Sequence, residues 1–68
     1  MDENWIIVYS SGQPYQIELM KQLLEENDIP SVVVNKKDSV YLIGDIELYV
    51  KAEDAFMARQ IILKNESE

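Results

Sequence analysis

Three small clusters in this 68-residue chain carry groups able to do chemistry. The first is Ser10-Ser11-Gly12-Gln13, placed directly before Pro14, together with Lys36-Lys37, the only adjacent basic pair. A helix opening at Pro14 offers backbone N–H groups at its start, and such a start favours an anion. Two hydroxyls, a permissive glycine and two lysines make a fitting set for a phosphate or carboxylate. The same residues also read as a solvated turn, and this is the preferred reading, because every α/β protein has helix N-termini. The second cluster is Asp45 and Glu47, two apart and so on one face of a strand, with Asp38 in the preceding turn. A hard cation wants roughly six to eight oxygens or several waters, and no calcium-loop spacing exists here. No metal site is expected. The third comprises Glu53-Asp54 and Glu25-Glu26, which helix-dipole complementarity and a solvated helix face explain without a ligand.

What is missing narrows the chemistry further. Cysteine and histidine are both absent. That removes disulfides, thiolate sites, the cysteine nucleophile, and the commonest general base and metal ligand. A carboxyl working as acid or base needs a pocket that raises its pKa, and so short a chain has little interior to build one. No catalytic residue and no cofactor are expected.

Six basic against thirteen acidic residues leave a net charge of −7. Phosphate backbones would be repelled over most of such a surface, so nucleic acid is not an expected partner. No segment approaches the roughly 20 apolar residues of a membrane span. The acidic start Met1-Asp2-Glu3 lacks the features of a signal peptide. A cytoplasmic address is expected.

The elements that would position these residues follow from periodicity. Trp5 to Ser10 is β-branched and aromatic and closes on Ser11-Gly12, a strand signal. Pro14 suits a first helical turn, and from Tyr15 to about Asn27 the period is helical. Leu19, Met20, Leu23 and Leu24 share its apolar face, flanked by Tyr15 and Ile17, and Asn27-Asp28 stops it. Ser31 to Asn35 is a second strand. Val40 to Ile43 is either a separate extended piece or the start of a third strand bulged at Gly44. From Ile46 alternation is clear: Ile46, Leu48 and Val50 face in, Glu47 and Tyr49 out. A last helix runs from about Ala52 to Lys64 with Ala55, Ala58 and Ile62 inward and Ile61 beside them, and residues 65–68 fray.

The order β-α-β-β-α in a single domain is solved by an α+β, ferredoxin-like arrangement. It has a three-stranded antiparallel sheet of order 1-3-2, two helices on one face and no fourth strand. Strand 1 becomes an edge that shows Trp5, Ile7 and Tyr9 on one face, and apolar edges are normally paired or covered. A homodimer through that strand is expected, since a core this small benefits from association. Phe56 and Leu63, seven apart on the last helix, either cover the sheet margin left by the missing strand or form a partner contact. The open face of the sheet shows Glu47 and Tyr49, joined by Tyr41.

Trp5 to Ser10, Pro14 opening a helix, Leu23-Leu24-Glu25 before Ile29-Pro30, and Ile46 to Val50 followed by Glu53-Asp54-Ala55 resemble a family of short bacterial proteins. The family is known as "putative prokaryotic signal-transducing protein", and the likeness spans roughly residues 5 to 64. Lys51 stands where the family favours proline. The resemblance implies a ferredoxin-like fold and a signalling label that rests on fold analogy, with no site residues attached. The functional expectation is a non-catalytic regulatory or interaction module that binds a protein or a small anionic ligand. The alternative is an assembly subunit that docks through its sheet edge and last helix.

Overall fold

A computed structural model describes residues 4–35 and 46–66. Its element order is β1 (Trp5–Ser11), α1 (Pro14–Glu26), β2 (Ser31–Asn35), β3 (Ile46–Lys51) and α2 (Ala52–Glu66). The sheet has the order β1-β3-β2, and both pairings are antiparallel. Both helices pack on the same side, against the sheet and against each other. This is the split β-α-β unit with a third strand slotted between the first two, an α+β, ferredoxin-like fold. The region of Lys36, Lys37, Val40 to Ile43 and Gly44 lies outside the described residues.

β3 holds the sheet together because it is the strand with a neighbour on each side. Its inward residues Ile46, Leu48 and Val50 are buried, the last two completely. Full burial of a side chain of this size contributes about 1.5–3 kcal/mol. The core they start is completed by Met20 and Leu24 of α1, by Ile29, and by Ala55, Ala58 and Ile62 of α2. Small alanines on the inner stripe of α2 let that helix lie close to the strands. β3 passes into α2 without a loop, and the Ala52 N–H donates to the Asn4 carbonyl at 2.7 Å.

The inner face of α1 is rotated relative to the expectation. Ile17 is 1% exposed and belongs to the core, whereas Leu19 is 42% exposed. Ile17, Met20 and Leu24 follow the i, i+3, i+7 spacing of one face, and Leu19 falls about 100° outside it. Four adjacent apolar residues at 19–20 and 23–24 fit two slightly different stripes, and packing selects the one centred on Met20 and Leu24. α2 also runs two residues past Lys64, to Glu66. Asn65 there lines one hollow with Leu23 of α1 and with Asn27, the residue that caps that helix.

α1 ends in a Schellman motif, and one residue in it is strained. The Ile29 N–H donates to the Leu24 carbonyl and the Asp28 N–H to that of Glu25, each at 3.0 Å. Buried Ile29 then sits in one core cluster with Leu24, the apolar contact that accompanies this cap. The geometry requires a left-handed residue, and Asp28 has φ 62°. Glycine carries no Cβ penalty in that region. Asp28→Gly is therefore expected to stabilise the fold by about 0.5–1 kcal/mol, read as a melting temperature raised by a few degrees; an unchanged or lower value would show that the aspartate side chain offsets its own strain.

Candidate functional site

The side of the sheet away from the helices departs from the usual pattern of a solvated sheet face. Register fixes who stands on it. Ile6, paired with Val50, faces the core, so Trp5 opposite Lys51 and Ile7 opposite Tyr49 face out. On β2, Val33 opposite Leu48 faces the core, so Val32 opposite Tyr49 and Val34 opposite Glu47 face out. Antiparallel sheets with one wet face normally alternate apolar inward with polar outward. Here the outward set is mostly aromatic and β-branched. Ile7 and Val32 remain 38% and 36% exposed, while Trp5, Val34 and Tyr49 are half-buried among their neighbours.

Tyr9 does not join them. The register slips between Ile7 and Tyr9, with Tyr9 opposite inward-facing Leu48. The intervening Val8 is the extra residue of a β-bulge, and one extra residue reverses the side on which every later side chain falls. Tyr9 consequently packs on the core beside Ile6 and Val8, and its hydroxyl donates to Gln16 Oε1 of α1 at 3.3 Å. The expectation that Trp5, Ile7 and Tyr9 share a face is corrected by this bulge. Past it, Ser10 opposite Glu47 faces out and Ser11 opposite Ile46 faces in.

The outward positions of β3 read Glu47, Tyr49, Lys51. The Tyr49 hydroxyl donates to Glu47 Oε1 at 2.7 Å. Holding that proton against a carboxylate raises the phenol pKa above its ordinary value of 10.0, with burial and the negative charge adding to the hydrogen bond. The pair makes the phenol ring lean along the strand towards Glu47.

The candidate anion cluster is folded into itself. The Ser11 hydroxyl donates to Gln16 Oε1 at 2.9 Å and accepts the Gln13 N–H at 3.0 Å. The Gln16 N–H goes to the Gln13 carbonyl at 3.1 Å, and Pro14 has no N–H to offer. Ser10 and Ser11 point to opposite sides of the sheet. Gly12 has open space where a Cβ would stand, so the turn does not demand glycine. The structure does bring this turn and Asn35 to one end of the sheet, through the pairings of Ser11 and Asn35 with Ile46. Lys36, Lys37 and Tyr41 lie outside the described residues.

On α2, Phe56 is 76% and Leu63 57% exposed, with Met57 at 58%. Leu63 borders a shallow hollow of about 220 Å³ with Val8, Tyr9, Arg59, Ile62 and Glu66, at the margin beside β1. Phe56 does not line that hollow. A second hollow, of about 290 Å³, lies between the helices over Leu23 and Ile61. Among the described residues no polar or charged residue is buried, and no group of three or more carboxylates is placed to hold a metal ion. No described helix is long and apolar enough to cross a membrane.

The sequence reading named Glu47, Tyr49 and Tyr41 for the open face and Trp5, Ile7 and Tyr9 for the edge strand, and it did not name Val32, Val34 or Lys51. Val32-Val33-Val34 has no alternation, so only the pairing partner says which valine faces out. Lys51 continues the alternation of β3 by one step, a signal that was present in the chain.

Fold and face together define a small ferredoxin-like module that, among the described residues, exposes an apolar sheet surface. The family model described as "Putative prokaryotic signal transducing protein" matches residues 5–66, and the chain belongs to that family. No curated protein and no solved structure matches the chain significantly.

Glu47→Gln should bring the Tyr49 phenol back towards its ordinary pKa. Because the folded value is raised, the stabilisation that this pair gives is present below about pH 10 and is lost as pH climbs through the folded value. Ring-carbon NMR titration of Tyr49 checks both points. An unshifted Tyr49 in the native chain would contradict the hydrogen bond.

Proposed function

We propose that the protein is a non-catalytic regulatory or interaction module of a prokaryotic cell, and that it works by presenting its open sheet face to another protein surface. The observation that carries this reading is the outward set Trp5, Ile7, Val32, Val34 and Tyr49 on a sheet face that no described helix covers. Contiguous apolar surface of this kind marks a contact site more often than a solvated wall. The signal-transducing description of the family is in keeping with a protein that acts by binding.

Catalysis finds little support in the same residues. The described carboxylates stand on exposed or half-exposed positions and not in the enclosed pocket that a general acid needs. A small anionic ligand at the start of α1 would have to displace the bonds that Ser11 makes with Gln13 and Gln16.

Photo-crosslinking in the intact bacterial cell tests the reading. A crosslinking residue at Val32, on the open face, is expected to give protein adducts. The same residue at Tyr15, 74% exposed on α1, is expected to give few. Equal yields from the two positions, or none from either, would contradict the proposal.

A further inference from the structure

The open face has a charge pattern that suits a second copy of itself. Along β3 the outward residues run Glu47, Tyr49, Lys51: negative, aromatic, positive. Two copies that bury the same face must be related by a two-fold axis lying in the plane between the sheets. Only two placements keep the strands roughly aligned, as packed sheets are. An axis along the strand sets Glu47 over Glu47 of the other copy and Lys51 over Lys51. An axis across the strand at Tyr49 sets each Glu47 over the other copy's Lys51.

We infer that the chain forms an isologous dimer through its open sheet faces, with the axis crossing β3 at Tyr49 and two reciprocal Glu47–Lys51 contacts. The inference rests on the reading of that face as a protein contact and names its occupant. The same axis makes the flanking strands complementary. Trp5 stands level with Lys51 and Ser10 level with Glu47 on β1, so the indole of each copy meets the small Ser10 of the other. Ile7, Tyr49 and Val32 share one level and form the centre, each against its own counterpart. The ring of Tyr49 leans towards Glu47, so the two rings lean in opposite directions and pass each other.

Net charge does not oppose this placement as strongly as −7 per copy suggests. Among the described residues every acidic side chain except Glu47 belongs to the helices or to the turn that ends α1. Those charges lie on the outer sides of the dimer. The sheet is about 14 Å wide and about 20 Å long, a footprint of roughly 280 Å² per copy. That is well below the roughly 800 Å² per partner of a stable interface, so only a weak, transient dimer is expected. Edge pairing through β1 is less well supported, because the bulge at Val8 breaks the regular ladder that a second strand would extend.

Charge reversal separates this geometry from others. Glu47→Lys alone places four lysines at the two contacts, and Lys51→Glu alone places four glutamates. Mixing the two variants restores two opposite-charge contacts in a heterodimer. Sedimentation velocity of the full chain from about 10 to about 500 μM should show reversible dimers in the native chain. Each single variant should dimerise at least about tenfold more weakly, and the equimolar mixture should return to the native range. Circular dichroism identifies any variant that has failed to fold, and the native chain supplies the comparison in either case.

A native chain that stays monomeric throughout, a dimer that neither reversal weakens, or a mixture that fails to recover would overturn the proposal. The Val32 crosslink separates that failure from failure of the broader reading. An adduct of twice the chain mass supports the second copy. An adduct to a different protein with a monomeric native chain removes the second copy and keeps the interaction module. A monomer without adducts removes both.

Discussion

The structure depends on a constraint acting on six residues. β3 is bonded on both edges and covered by two helices on one side, so each of its residues is committed to one environment. Leu48 and Val50 accordingly have no exposure, and both flanking strands take their register from them. A slip of one residue would send Glu47 and Tyr49 into the core and Leu48 into solvent. Position on β3 therefore decides the face of every paired residue on β1 and β2. The apolar open surface is a by-product of the same register that builds the core.

Much of this was legible in the chain, and the parts that were not have physical reasons. The order of elements, the central place of β3, the inward triplet Ile46, Leu48 and Val50, and the alanine stripe of α2 all follow from clean period-2 or period-3.6 patterns. The boundaries of β2 agreed because Ser31 and Asn35 bracket the three valines, whereas the start of β3 was left open between Val40 and Ile46 and falls beside residues outside the described ones. The bulge at Val8 was invisible, since Trp5 to Tyr9 is apolar throughout and no residue in it announces an extra position. Leu19 and Ile17 exchanged roles for a similar reason, as their stretch of α1 supports two overlapping stripes.

The candidate site was half legible. Ser11 stands in the candidate anion cluster, but its hydroxyl is bound into the start of α1 by Gln16, five residues on, a side-chain choice that spacing alone does not reveal. Val32 and Val34 were missed because three successive valines carry no face information. Apolar residues on an open sheet face look like core in a sequence, and only the count of covering layers distinguishes them. With helices on one side only, the core claims half of those residues and leaves the other half for contact with something else.

Trp5 is the only tryptophan of the chain and stands on the open face, which makes it a built-in reporter of whether that face is covered. The most direct measurement is Trp5 fluorescence of the native protein as its concentration is raised. The account predicts emission that shifts to shorter wavelength and becomes harder to quench with acrylamide as copies associate. Emission and quenching that stay constant over the range in which association is seen would contradict it, because the contact would then lie on another surface.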